Sequence, residues 1–270
     1  MKYTIKGILK MISSAELLNI AVRAARSAGT IINRRVNTSK KVSYKGIVDL
    51  VTDVDNLCEE RIVSIITRRF PEHSILAEEL GGIAKESDYK WIIDPIDGTT
   101  NFYHSYPFFS VSVAVEYKGE IVAGVVYDPV KKELFHSVKG RGAFLNEKRL
   151  HVSEVKAIEQ SLLSTGFPYD LRSSSENNID NWIKFIRRAQ AVRRDGSAAL
   201  DLCYVAAGRF DGFWEIKLKP WDVAAGSLMI REAGGAVTDF HGNPYSIYTD
   251  NIVASNTHIH KLLLEVLAKG

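Results

Sequence analysis

The sequence is poor in several features, and each shortage closes off a class of protein. It has two cysteines in 270 residues, Cys58 and Cys203. That is too few for a disulfide scaffold, and both fall in helix-like patterns, so buried free thiols are expected. No apolar run approaches the ~20 residues that a membrane-spanning helix needs. Lys6 and Lys10 interrupt the N-terminal stretch, which does not read as a signal peptide, and a cytoplasmic protein is expected. The net charge of +3 is too small to argue for nucleic-acid binding. No glycine-rich nucleotide fingerprint follows the first strands, which weakens a Rossmann reading. Internal repeats and low-complexity tracts are absent from both halves.

What is present is a globular pattern. Hydrophobic residues make up 46% of the chain, enough for one large domain or two closely packed halves. Met1 to Met11 precede the first clear element, and Met11 is a second candidate start. Ser13-Ser14-Ala15-Glu16 reads as a capping box opening a helix with a core stripe of Leu17, Leu18, Ala21, Ala24, Ala25, Ala28, Ile31 and Ile32. A basic loop at Lys45-Gly46 leads to Asp53 and Asp55, which sit at the start of a second helix. Leu57, Ile62, Ile65, Ile66 and Phe70 are expected on its buried side. Capping that helix is the plain role for both acids. His73 to Ala77 reads as a strand with Glu78-Glu79 at its exit. Phe109–Val115, Ile121–Tyr127 and Leu134–Val138 form an antiparallel meander. A second half follows Val155. It has a strand at Leu162–Ser164, a helix at Asn181–Ala189, a loop at Arg193–Ser197 and a helix from Ala198. A strand near Phe213 and a small-residue helix carrying Asp222 in its first turn come next. The layout predicts a layered α+β fold, with halves 1–155 and 156–270 packed as one unit.

One stretch organises the rest: Trp91-Ile92-Ile93-Asp94-Pro95-Ile96-Asp97-Gly98-Thr99-Thr100-Asn101-Phe102. The apolar run reads as a buried strand closed by Asp94, with Pro95 disfavouring helix there. Asp97 follows three residues on, Gly98 permits a tight turn, and Thr99-Thr100-Asn101 reads as a first helical turn. Carboxylates hold hard cations such as Mg²⁺. Free N–H groups at a helix start hold phosphate. Metal-assisted phosphate chemistry is indicated, with an ordinary Asp-Gly turn as the plainer alternative. Glu78 leaves its strand much as Asp94 does, so the two acids meet if those strands are sheet neighbours.

Two schemes fit an acid-rich loop after a strand. A nucleophilic aspartate of the haloacid-dehalogenase type requires Asp-x-Asp, whereas Pro95 and Ile96 separate the acids here. Activation of water by several metal ions requires carboxylates from separate segments, and Glu78, Asp94, Asp97 and Asp222 qualify. His104 reads as packing or surface, and His258 and His260 as surface.

Glu78-Glu79, Asp94-Pro95-Ile96-Asp97-Gly98-Thr99-Thr100-Asn101-Phe102, Trp221-Asp222-Val223-Ala224-Ala225-Gly226 and the Lys45–Asp55 stretch resemble, in order and spacing, the signatures of the inositol monophosphatase family. The resemblance covers nearly the whole chain after Met11. It implies a five-layer αβαβα sandwich with two β-sheets, the sugar-phosphatase fold. It implies a phosphomonoesterase using two or three Mg²⁺ ions. Glu78, Asp94 and the Ile96 carbonyl would hold the first ion, and Asp94, Asp97 and Asp222 the second. A third, weaker ion would sit near Glu78. Gly98 and Thr99 would bind phosphate, Thr99 with Asp55 would orient or deprotonate the attacking water, and Lys45 would lie on a mobile loop. Asp97, Ala198, Glu215 and Asp222 would line the hydroxyl side of the substrate. Relatives hydrolyse inositol phosphates, fructose 1,6-bisphosphate, NADP or nucleotide 3′-phosphates. Glu215, seven residues before Asp222, matches the inositol-phosphatase position and favours a small polyol phosphate, inositol 1-phosphate first, with a fructose-1,6-bisphosphatase or a dual-specific enzyme as the alternative. A homodimer and lithium sensitivity are further expectations. Some bacterial members act in ribosomal-RNA transcription complexes, and Arg193-Arg194 is a candidate basic surface for that role.

Overall fold

The computed structural model describes residues 12–46 and 49–268. The expectations for Met1 to Met11, and for Ile47 and Val48, fall outside them. Helix α1 (Ser14–Arg35) begins where the Ser13 hydroxyl accepts the Glu16 backbone N–H at 3.2 Å. Glu16 does not complete the capping box; its carboxylate pairs with Arg69. The alanine-rich stripe is buried, while Leu18 and Ile31 are only partly so. Strands β1 (Val42–Tyr44) and β2 (Leu50–Thr52) form an antiparallel hairpin that leads into α2 (Asp53–Arg69). Val54, Cys58, Ile62, Ile65 and Ile66 form the buried row of α2. Leu57, expected on that face, is 43% exposed. It lies one residue before Cys58 and is therefore turned about 100° around the axis from the row.

The large sheet is built from β3 (Ser74–Ala77), β4 (Gly81–Ile83), β5 (Tyr89–Asp97), β6 (Ser110–Tyr117), β7 (Glu120–Asp128), β8 (Glu133–Val138), β9 (Ala143–Leu145) and β10 (Lys148–Arg149). Their spatial order is β10-β9-β8-β7-β6-β5-β3-β4, with β3 and β5 parallel. The short helix α3 (Thr99–Tyr103) follows β5. Asp94 does not close β5, because the strand runs on to Asp97. Asp94 pairs with Ser112 and Asp97 with Ser110, so β5 uses three steps where β6 uses two. That extra residue is a bulge, one of the few places where a proline fits inside a sheet.

The smaller sheet joins β11 (Leu162–Thr165), β12 (Ala191–Arg193), β13 (Gly212–Ile216), β14 (Ala236–Thr238) and β15 (Asn251–Ser255) in the order β12-β11-β13-β15-β14. Arg193, expected in a loop, ends β12. Helix α4 (Ile179–Ile186) starts earlier and ends sooner than the expected Asn181–Ala189. Helices α5 (Ala198–Ala206) and α6 (Pro220–Glu232) lie between the sheets, and α4 and α7 (His260–Ala268) cover the outer face of the small one. Three apolar cores fill the spaces between the five layers, so the fold is the expected αβαβα sandwich. His104 and His258 are exposed, as their positions suggested. His260 is buried. Its ring nitrogens lie 2.8 Å from Ser255 Oγ and 3.0 Å from Thr238 Oγ1, because α7 starts against β14 and β15.

The contact that places α6, and with it Asp222, is a close approach to β7. A Cβ on Gly124 would stand 2.9 Å from the Ala225 Cα. Backbone cannot give way as a side chain can. Gly124→Val should therefore destabilise the fold by about 2 kcal/mol, measured by denaturant unfolding; a stability equal to wild type would contradict this packing.

Candidate metal centre

Strand pairing brings the acids together. Ala77 on β3 pairs with Ile93 on the parallel β5, so Glu78, just past the end of β3, falls beside Asp94 within β5. The β5 bulge carries the backbone around Pro95 so that Asp97 falls near Asp94. Asp222 arrives from the first turn of α6, which Ser112 fixes by donating to the Trp221 carbonyl at 3.1 Å. One carboxylate oxygen from each of Asp94, Asp97 and Asp222 lies within 4.8 Å of the other two. Asp94 and Asp97 are buried and Asp222 is half-buried.

Each of these acids commits one oxygen to the protein. Asp94 Oδ1 accepts the Ile96 N–H at 2.9 Å. Asp97 Oδ2 accepts the Ala199 N–H at 2.9 Å and the Ser197 hydroxyl, which seats it on the α5 N-terminus. Asp222 Oδ2 accepts the Lys219 N–H at 2.7 Å. The second oxygen of each has no protein donor among the described residues, and no Lys or Arg pairs with any of the three. Three hard oxygen donors, converging and uncompensated, fit Mg²⁺.

Glu78 lies beside this trio, with its Oε1 held by Lys45 Nζ at 3.2 Å. Lys45 also reaches Glu79 at 2.6 Å. Glu59, buried on α2, accepts the backbone N–H groups of Glu79 and Leu80 at 2.9 and 2.6 Å and so pins the loop that carries Glu78. The Ile96 carbonyl already accepts the Thr99 hydroxyl at 2.9 Å and keeps a second lone pair. Thr99 Oγ1 is also 3.1 Å from Asp55 Oδ1. The other Asp55 oxygen caps α2 through the N–H and hydroxyl of Thr52, so the residue serves both a helix and the site. Gly98, at φ +93°, makes the turn between Asp97 and α3.

Lys45, Glu78, Asp94, Ile96, Asp97, Gly98, Thr99 and Asp222 line a cavity of about 450 Å³, which Ala198, Asp201, Glu215, Tyr169 and Arg194 also border. Gly166 lies against Glu215, and a Cβ there would collide with its carboxylate. Sequence reading missed Glu59, Gly166, Ser197 and Asp201. Glu59 and Asp201 had a signal, since each interrupts an otherwise apolar helical face.

Burial pushes Asp55 up to about 6 against the hydrogen bonds of Thr52 and Thr99. Burial pushes Glu78 up to about 7, opposed by Lys45 and assisted by Glu79. Asp97 rises to about 6, again through burial, partly offset by Ser197 and the α5 backbone. Asp94 and Asp222 lie far above the usual carboxylate range, through burial first and then neighbouring acids. For Lys45, burial works downward, but Glu78 and Glu79 outweigh it and the ammonium is held above its usual value.

The folded pKa values are raised, so from about pH 4 to about pH 7 the metal-free folded chain binds more protons than the unfolded chain. These acids therefore lose stability as pH rises through that window. A divalent cation displaces the protons and binds best where they are gone. The rise in Tm on adding Mg²⁺ should be larger at about pH 8 than at about pH 5. Thermal melts with and without Mg²⁺ test this, and an equal or larger rise at the lower pH would contradict it.

Comparison with known proteins agrees with this geometry. Residues 13–269 match the inositol monophosphatase family. The chain is 46% identical to Nus factor SuhB of Pseudomonas aeruginosa over 260 residues, which is 93% of this chain and 95% of the relative. An inositol monophosphatase from Anabaena (Nostoc) superposes with a TM-score of 0.86 at 42% identity, covering 94% of this chain and 95% of the other. The extragenic suppressor protein SuhB of Bartonella henselae superposes with a TM-score of 0.88 at 41% identity, covering 94% and 99%. By a family match that spans nearly its whole length, the chain belongs to the inositol monophosphatase family.

Proposed function

We propose that the protein is a Mg²⁺-dependent phosphomonoesterase that hydrolyses a small polyol phosphate, with inositol 1-phosphate the first candidate. The observation that carries this reading is the convergence of Asp94, Asp97 and Asp222, each with one oxygen left without a protein donor. Asp94, Asp97 and Asp222 would hold one ion; Glu78, Asp94 and the Ile96 carbonyl would hold another. Bound there, Mg²⁺ supplies the charge that neutralises phosphate and makes a water acidic enough to attack.

The chain's own residues do the rest. Gly98 and Thr99 present backbone N–H groups to the phosphate oxygens. The Thr99 hydroxyl accepts a proton from the attacking water as it passes its own to Asp55, 3.1 Å away. Asp55 is ionised above about pH 6 and able to receive it. Lys45 balances the charge of Glu78 and Glu79 at the cavity edge. Asp97, Ala198, Glu215 and Asp222 face the hydroxyl side of the substrate.

A binding role in transcription is the second reading, supported by relatives that carry the name Nus factor. Arg193, exposed at the end of β12, and Arg194 beside it are the candidate contacts. The two readings separate on a metal-ligand variant, since binding alone does not need Asp94.

A panel of inositol 1-phosphate, fructose 1,6-bisphosphate and nucleotide phosphates with Mg²⁺ should show the highest kcat/KM on the inositol ester. Preference for the bisphosphate would move the assignment to fructose-1,6-bisphosphatase. Asp94→Asn should lower turnover at least about a hundredfold. Full activity of that variant at saturating Mg²⁺ would reject the site. Direct attack by water also predicts inversion at phosphorus, and retention would point to a phosphoenzyme.

A further inference from the structure

One wall of the cavity holds an acid that the metal centre does not use. Asp201 sits in the first turn of α5, two residues beyond Ala199, whose N–H with the Ser197 hydroxyl seats Asp97. It lines the cavity yet is only 1% exposed. Its Oδ1 is buried with no hydrogen-bond partner among the described residues. Arg194, on the same wall, makes no ion pair with it. Glu215, brought by β13, lies on that wall as well and is 7% exposed.

A buried carboxylate without a donor costs the fold free energy, and a protein interior normally removes it. We propose that Asp201 is a specificity residue whose carboxylate accepts a hydrogen bond from a hydroxyl of the substrate's polyol ring. The proposal rests on the phosphatase reading above and adds a contact to it. The cavity has room for a ring beside the phosphate. The phosphate end is assigned to the acid trio and the Gly98 turn, which leaves the α5 and β13 wall for the hydroxyls. A hydroxyl needs an acceptor, and Asp201 supplies one with no competing donor. A cation would need more ligands, and among the described residues the metal-ligating cluster is the Asp94, Asp97 and Asp222 group, without Asp201.

Asp201→Asn and Asp201→Leu in the full chain, assayed with Mg²⁺, test the proposal. The two substrates are myo-inositol 1-phosphate and p-nitrophenyl phosphate, which has no hydroxyl to read. The ratio of their kcat/KM values should fall about tenfold in both variants, chiefly through KM for the inositol ester. Asp201→Leu should also melt at a higher temperature than wild type, since an unpartnered buried polar group is gone. A ratio within about twofold of wild type overturns the proposal while leaving the phosphatase reading intact. Lower melting temperatures with equal losses on both esters also overturn it, because they mark a structural role. A wild-type protein inactive on both esters overturns the phosphatase reading and this contact together.

Discussion

Mutual repulsion among carboxylates is the constraint on which the rest of this molecule depends. Asp94, Asp97 and Asp222 are driven within 4.8 Å of one another on three different supports. One is a strand, one its bulged continuation, and one a helix start from another part of the chain. Among the described residues no lysine or arginine forms an ion pair with them. Such a cluster is tolerable only if protons or metal ions share its charge. Burial raises the pKa values of Asp55, Glu78 and Asp97, so protons can share that charge where no cation does.

Much of the architecture serves to hold that repulsion still. The bulge in β5 lets a proline sit within a sheet and turns two acids to one place. The Thr52 cap makes Asp55 rigid before it meets Thr99. Glu59 takes two backbone N–H groups and fixes the Glu78 loop from below. Asn101 bridges the Phe108 and Asp195 carbonyls, both at 2.7 Å, tying the turn after Gly98 to the segment before α5. Asp94, Asp97 and Asp222 each anchor through one oxygen and keep the other, so order is gained without using up the ligand set.

The cavity has two chemical ends. One carries the acid trio with the Gly98 turn, suited to cations and phosphate. The other carries Asp201 and Glu215, the latter against Gly166, both buried acids at the cavity wall.

The sequence by itself determined the layered α+β class, the core stripes of α1 and α2, the meander and the family. Helical and strand periodicities are local, and the acid motifs are contiguous strings. It also marked Glu78 and Asp94 as partners conditional on strand adjacency, and the β3–β5 pairing meets that condition. Tertiary structure alone decided the rest. Local rules ended the strand at Asp94, while pairing with β6 carried it on to Asp97. Leu57 and His260 changed sides because burial depends on what packs against an element, which no short window contains. Glu59 and Gly166 took their places because the residues they meet, Glu79, Leu80 and Glu215, lie far along the chain.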